Sequence, residues 1–351
     1  MIRLCCAFGG RSTEYEVSLE SAYGVLSNAD NSKYEIIKLG ITRDGKWYFY
    51  GGDNEKIRDG SWVSDRENLR KCRLSLDYGD RALYTDDGRY EIDVFFPVMH
   101  GANCEDGTLQ GALALSGIPF VGSPCASSAV CMDKAFTKQL ISLIGVPQAD
   151  AITVRKSEIV NGRDEIINRS EKKFGYPVFV KPSRAGSSVG VVKVKKRSDF
   201  PAAFDTACGV DDKILIERYI PGGEFEVAVL GNEEGEASCV GEIVPGSEFY
   251  DYNNKYSDDT ALYYIPARLD NSLADKIRGY AVDIYKALDC KGLARVDFFS
   301  DGKTAVFNEI NTLPGFTPIS MYPKLWGKCG LSYSALIDRL VDLALNEGAK
   351  K

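Results

Sequence analysis

The sequence predicts an α/β and α+β protein of three successive units. At 351 residues the chain is too long for one hydrophobic core, so two or three domains are expected. Its N-terminal part alternates apolar strand runs with helical patterns, as an open α/β sheet does. Further on, "GEFEVAVLG" and "EASCVGEIVP" follow each other directly and read as an antiparallel pair. The units are expected at 1–126, 127–217 and 218–351.

In the first unit, residues 2–8 (IRLCCAF) read as a buried strand, Gly9-Gly10 as a loop, and Ser18 as the cap of a helix running to about residue 28. Strands follow at 34–42, 46–50 and 92–98. "HGANCEDG" is loop, 108–116 is a helix stopped by Gly117, and "IPFVG" is a strand. The second unit is expected to hold helices at 130–144, 163–174 and 198–208 and strands at 151–154, 177–181, 189–195 and 213–217. In the third, a polar, aromatic segment at 246–264 has no clean period. A helix at 271–288, strands at 293–299 and 304–311 and an amphipathic helix at 333–346 complete it.

A net charge of −7 and the lack of any basic run argue against a nucleic-acid partner. No apolar run approaches the roughly 18 residues of a membrane span. The N-terminus lacks the apolar core and cleavage site of a signal peptide, so a cytoplasmic location is expected. Ten scattered cysteines without CxxC, beside a single histidine, read as small hydrophobes in a reducing compartment rather than as a zinc site or disulfide framework.

The sharpest chemical signal is "LARVDFFSDGKTAVFNEIN" at 293–311. Side chains alternate along a strand, so Arg295 and Asp297 share one face, as do Glu309 and Asn311. A two-residue turn at Asp301-Gly302 would put the two pairs on opposite faces. A three-residue loop pairs 300 with 304, sets Glu309 across from Arg295 and gathers all four on one face; that geometry, or a bulge of the same parity, is expected. Two carboxylates and an amide oxygen on a β-face suit magnesium, which takes hard oxygen donors. In "FVKPSRAGSSVG" (179–190), Lys181 precedes Gly186 and Gly190, the reverse of a P-loop. Two strands joined by this Gly/Ser segment can fold over a nucleotide with N–H groups and hydroxyls on its phosphates. Glu217 and Glu224 flank "RYIPGG", where a strand end can read an adenine edge and a carboxylate can take ribose hydroxyls. His100 leaves a strand at the edge where open α/β sheets place ligands. Glu14 and Glu16, after the first strand, suit an ammonium group better than a phosphate.

Taken in order, "FGGRSTEYEVSLES", "HGANCEDGTLQG", "CMDKAFTK", "GYPVFVKPSRAGSSVGV", "FYDYNNKY", "RVDFF", "FNEINTLPGFT" and "SMYPKLW" resemble the D-alanine–D-alanine ligases of the ATP-grasp superfamily over essentially the full chain. The resemblance implies a three-domain ATP-grasp fold whose N-terminal domain is open α/β, with ATP between the last two domains. It implies that Lys134, Lys181 and Ser188 contact phosphates, Glu217, Arg218 and Ile220 surround adenine, Glu224 takes the ribose and Phe249 packs near the base. Asp297, Glu309 and Asn311 would hold two Mg2+ ions, with Mn2+ a possible substitute. Glu16, Ser187 and Tyr256 would form a trio that closes the site, and Ser320 and Met321 would border the second amino-acid subsite. Lys255, on a mobile loop at 246–264, would offset charge during phosphoryl transfer, and Arg295 with the Gly315 N–H would stabilise the oxyanion. The proton of the second ammonium would go to His100 or to the Glu16–Ser187–Tyr256 network.

The implied activity is ATP-dependent joining of two D-alanines through a D-alanyl phosphate for peptidoglycan precursors, by a homodimer formed through the N-terminal domain. Cys104 stands where the family's "HGxxGEDG" pattern has glycine, next to the expected substrate pocket. Met321 replaces the arginine usual in relatives that make D-Ala–D-Ser or D-Ala–D-lactate, which favours D-alanine and leaves D-serine as the alternative. A catalytically dead homologue serving as a scaffold is disfavoured by the full set of acids, lysines and Arg295.

Overall fold

The structure, a computed structural model, describes residues 1–244 and 262–349. The expected sites Phe249, Lys255 and Tyr256 lie outside the described residues, as does most of the segment 246–264. The last three residues of that segment, Leu262–Tyr264, form an edge strand rather than loop.

Seven strands make the first sheet: β1 (Ile2–Gly9), β2 (Tyr34–Ile41), β3 (Trp47–Tyr50), β4 (Leu69–Leu74), β5 (Ala82–Thr85), β6 (Arg89–Glu91) and β7 (Val94–Pro97). They lie in the order β6-β5-β4-β3-β2-β1-β7. β1 runs parallel to both of its neighbours, β2 and β7, so the chain departs to opposite sides from its C-terminal end. Such a switch point opens a crevice beyond the strand ends. Being covered on both faces explains why Leu4 through Phe8 are all apolar and fully buried. Ser18 does not cap the first helix, which spans Tyr15–Asn28. Its hydroxyl accepts the Gly9 N–H (2.8 Å) and donates to the Val98 carbonyl (2.5 Å), tying the ends of β1 and β7 together. The helix Thr108–Ser116 ends at a left-handed Gly117, as its sequence foretells. "IPFVG" contributes one bridge, Phe120 to Phe95, and is not a strand.

The second sheet is antiparallel, in the order β10-β9-β11-β8, from β8 (Ala151–Arg155), β9 (Val178–Pro182), β10 (Val192–Val194) and β11 (Lys213–Arg218). Helices Lys156–Phe174 and Phe200–Cys208 bury their apolar faces against it. The helix expected at 163–174 is present, and a kink at the non-helical Gly162 (φ −150°) separates it from a shorter helical stretch that begins at Lys156. The single helix expected at 130–144 is two, Cys125–Met132 and Lys134–Ile141. Asp133 between them is extended, and its carboxylate accepts the Phe136 N–H (3.4 Å) as the second helix's cap.

The third sheet runs β14-β13-β12-β15-β16, from β12 (Gly223–Gly231), β13 (Glu236–Val244), β14 (Leu262–Tyr264), β15 (Gly292–Ser300) and β16 (Ala305–Asn311). Val227, Val229, Ala294, Val296 and Phe298 point to one face and pack on helix Asn271–Ala287. Ala228, Leu230, Ile243 and Leu293 point to the other, in a core shared with helices Met321–Lys328 and Tyr333–Ala349 and the N-terminal unit. The first and third sheets are therefore joined by buried apolar surface, which fixes the walls of the site between them.

The β15–β16 turn is not the three-residue loop. Ser300 pairs with Ala305, leaving 301–304 as the loop, and a bulge between Asp297 and Phe298 then shifts the register. Beyond it Asp297 pairs with Glu309 and Arg295 with Asn311, so Glu309 faces Asp297 rather than Arg295. The bulge restores the parity that puts all four side chains on one face.

Candidate active site

Two cavities meet at Glu309. The smaller, of about 190 Å³, lies between the second and third sheets. Lys134, Lys181, Ser188, Glu217, Arg218, Ile220 and Glu224 all line it, so the expected nucleotide residues are brought to one place. The larger, of about 470 Å³, lies between the N-terminal unit and the third sheet. His100, Ser187, Arg295, Gly315, Ser320 and Met321 line it, with Glu16 at its margin.

The smaller cavity is built on buried charge. Lys181 projects from β9 and its ammonium lies 2.5 Å from Glu217, which also pairs with Lys138 at 3.2 Å. Burial alone would push the Glu217 carboxyl up; the two lysines hold it below its ordinary value. Burial lowers Lys138 in turn, against the pull of Glu217. Lys138 lies one turn after Lys134 on the same helix face, a spacing that could have flagged it. Lys134 itself donates to the Ala185 carbonyl (2.8 Å) and pairs with Glu309 (3.1 Å). Its backbone is held from beneath by the Ser183 carbonyl (3.0 Å). There the Ser183 hydroxyl donates to Asp133 (2.6 Å), and Asp133 is ion-paired with buried Lys213. This explains "CMDKAFTK": the aspartate anchors the helix start, and the lysine after it reaches the cavity. Phe179 and Tyr219, with rings 6.1 Å apart, add an aromatic wall.

A row of acids crosses the third sheet. Glu226 on β12 pairs with Asp297 on β15, and Asp297 with Glu309 on β16. Carboxylate oxygens of Glu224, Glu226 and Asp297 lie within 4.8 Å of one another. Arg295 neutralises part of this charge: it bonds Asp297 through two nitrogens (2.8 and 2.7 Å) and sits 3.2 Å from Glu226. Asn311 donates to Asp297 (3.0 Å). Oxygen donors at the end of a cation-lined slot fit a magnesium-bound polyphosphate, and the acids' cationic partners mark where positive charge is needed.

The larger cavity departs from expectation at three residues. Ser187 donates to Glu14, not Glu16. Glu14 is buried, and a Cβ on Gly101 or Gly186 would come within 3.0 or 3.2 Å of its carboxylate, so these glycines give it room. Glu16 is exposed at the mouth and pairs with Arg43. Both acids stand in "TEYEVS"; the helix starting at Tyr15 turns the first toward the 186–188 loop and the second outward. His100 is buried; its Nδ1 faces the Leu313 carbonyl (3.0 Å), so Nδ1 carries the proton and donates. Its Nε2 then accepts from the Ser21 hydroxyl (3.2 Å), which itself accepts the Phe316 N–H (3.1 Å). Burial lowers its pKa, so the ring is a neutral strut between two units with no lone pair left for a substrate proton. Cys104 is fully buried in the N-terminal core beside Met99 and Leu109, not on the cavity wall. Glu105, the next residue, does line the cavity; burial and nearby Glu14 push it up to about 8, against a bond from the Gly101 N–H (2.9 Å).

Gly315 through Met321 form the far wall. Ser320 accepts the Thr317 N–H (3.0 Å) and shares a hydrogen bond with its hydroxyl (2.8 Å), fixing the loop that precedes helix Met321–Lys328.

Two sheets closing on a lysine-lined slot, with a row of acids at its end and a second cavity beyond, define an enzyme of the ATP-grasp class. Comparison with known proteins narrows this to one family. The model of the D-ala D-ala ligase N-terminus matches residues 3–123 and that of the C-terminus residues 140–342, and the chain belongs to the D-alanine–D-alanine ligase family. It is 48% identical to the D-alanine–D-alanine ligase of Caldicellulosiruptor bescii, over 100% of this chain and 97% of that one. The ligase of Acetivibrio thermocellus is 46% identical over 98% and 96%. Among solved structures, the VanG D-Ala:D-Ser ligase from Enterococcus faecalis superposes with a TM-score of 0.90 at 42% identity, covering 98% of this chain and 99% of that one. The D-alanine–D-alanine ligase from Bacillus anthracis complexed with ATP gives 0.74 at 26% identity, covering 100% and 99%. No helix among the described residues is long and apolar enough to cross a membrane.

Proposed function

We propose that the protein joins two D-alanines at the expense of ATP, forming D-alanyl-D-alanine for peptidoglycan precursors, as a homodimer of three-domain chains. The observation that carries this is the meeting of a cation-lined cavity and an acid-lined one at Glu309. A carboxylate is a poor electrophile, so the first D-alanine must be activated, and phosphorylation by ATP gives an acyl phosphate. In this reading Lys134 and Lys181 hold the phosphates, Phe179, Arg218 and Ile220 enclose the adenine, and Glu224 takes the ribose. Asp297, Glu309 and Asn311 would hold two magnesium ions, which offset charge between ATP and the carboxylate during in-line transfer.

Glu14 receives the first ammonium, and Ser187 holds the loop down over it. The amine of the second D-alanine then attacks the acyl carbon, phosphate leaves, and Arg295 and the Gly315 N–H stabilise the tetrahedral oxyanion, each worth roughly 3–4 kcal/mol by analogy with other oxyanion holes. Met321 presents a thioether and no hydrogen-bond donor to the second side chain, which favours a methyl over a hydroxymethyl group. Coupled ADP-release assays test the reading: D-alanine-dependent ADP release is expected, and its complete lack would defeat it.

A further inference from the structure

Gly241 lies inside β13 in ordinary strand conformation, with no positive φ to demand glycine. Glycine weakens a strand interior, so its presence calls for a reason in the space around it. That space is occupied by Met321. A Cβ built on Gly241 would stand 2.2 Å from the Met321 methyl carbon and 2.9 Å from Leu325 Cδ2, far inside contact distance. Gly241 pairs directly with Glu226, so its missing side chain belongs to the cavity face of the sheet. Met321 is 5% exposed and lines the larger cavity together with Ile243, two residues along the same face of β13.

We propose that Gly241 is a specificity-determining residue of the second amino-acid subsite: it leaves the recess into which the Met321 side chain folds, and so sets the room left for the acceptor's side chain. The inference rests on the ligase reading above. Any side chain at 241 fills the recess. Leu325 closes one flank, so the flexible thioether must swing toward the cavity it lines. Gly241 touches no substrate; it acts through Met321, as a positioning residue.

Steady-state kinetics on the full chain test this, resolving the KM of the donor and acceptor D-alanine and the product ratio when D-alanine competes with D-2-aminobutyrate. Gly241→Ala is expected to raise the acceptor KM about tenfold, the scale of one misplaced methyl in a pocket, and to leave the KM for ATP and for the donor near the parent values. It should also depress the D-2-aminobutyrate product further. In the double variant Gly241→Ala/Met321→Ala the displaced thioether is gone, so the share of D-2-aminobutyrate product is expected to rise above that of Gly241→Ala. An unchanged acceptor KM in Gly241→Ala, a uniform rise of all its constants, or a double variant whose D-2-aminobutyrate share stays as low as that of Gly241→Ala would overturn the proposal. Should Gly241→Ala fail to fold, Met321→Ala alone must raise the share of D-2-aminobutyrate product, and no rise overturns it equally. A parent protein without D-alanine-dependent ADP release would defeat the ligase reading and this inference with it. An active parent with an unaltered Gly241→Ala variant defeats this inference alone.

Discussion

The two cavities that share Glu309 differ in the charge of their walls. In the smaller, Lys134, Lys181, Lys193 and Arg218 stand against Glu217, Glu224 and Glu309. In the larger, Glu14, Glu16, Glu20 and Glu226 outweigh Arg58 and Arg295. His100 adds no charge there, because burial keeps it neutral. One chamber thus attracts a polyphosphate and the other an ammonium group, and each repels the other's occupant. The contrast also separates how they are held together. Lysine–glutamate pairs buried across strands and helices pre-form the first, whereas loops from three parts of the chain converge on the second.

The largest effect should come where the chambers meet. Glu309→Gln keeps the size of the side chain but removes the charge shared with Lys134; ADP release is expected to fall about 10³-fold with the thermal midpoint little changed. Near-normal turnover would place the transfer elsewhere.

On the acidic side, neighbouring glutamates should behave differently. Glu14→Gln is expected to raise the KM for the first D-alanine about tenfold, since a neutral amide no longer balances the ammonium. Glu16→Gln, at the exposed mouth, should shift it about twofold or less. Equal effects would contradict the placement of Glu14 under the 186–188 loop.

Those two glutamates show where the sequence stopped being legible. Both lie in one short stretch, and only the start of the helix at Tyr15, a tertiary outcome, decides which points inward. Strand alternation marks Asp297 and Glu309, and the same period puts Glu226 on the face of Glu224 in β12. The apolar runs of β1, β7, β12 and β15 stood out because sheets covered on both faces demand them. The strands β4, β5 and β6 were missed because they lie on the outer side of the first sheet and are short, and β4 and β6 expose much of their length. The β15–β16 turn was missed in length but not in outcome, since a bulge absorbs the odd residue and the acids must still share a face.

The remaining prediction concerns stability rather than turnover. Glu105 is held up to about 8 in the folded protein, against an ordinary value of 4.5. The unfolded chain ionises first as pH rises, so it binds fewer protons than the folded one between these values, and the residue's contribution falls across that window. Glu105→Gln should abolish this loss. The thermal midpoint of the variant relative to the parent should climb from pH 4.5 to about 8 and then level off. A difference independent of pH would show that the acid is ionised in the folded state.

Product analysis with D-alanine and ATP, then with D-serine added at equal concentration, tests the central claim most directly. D-alanyl-D-alanine is expected to be the sole product in the first case and the major one in the second. Absence of any dipeptide, or a predominance of D-alanyl-D-serine, would contradict it.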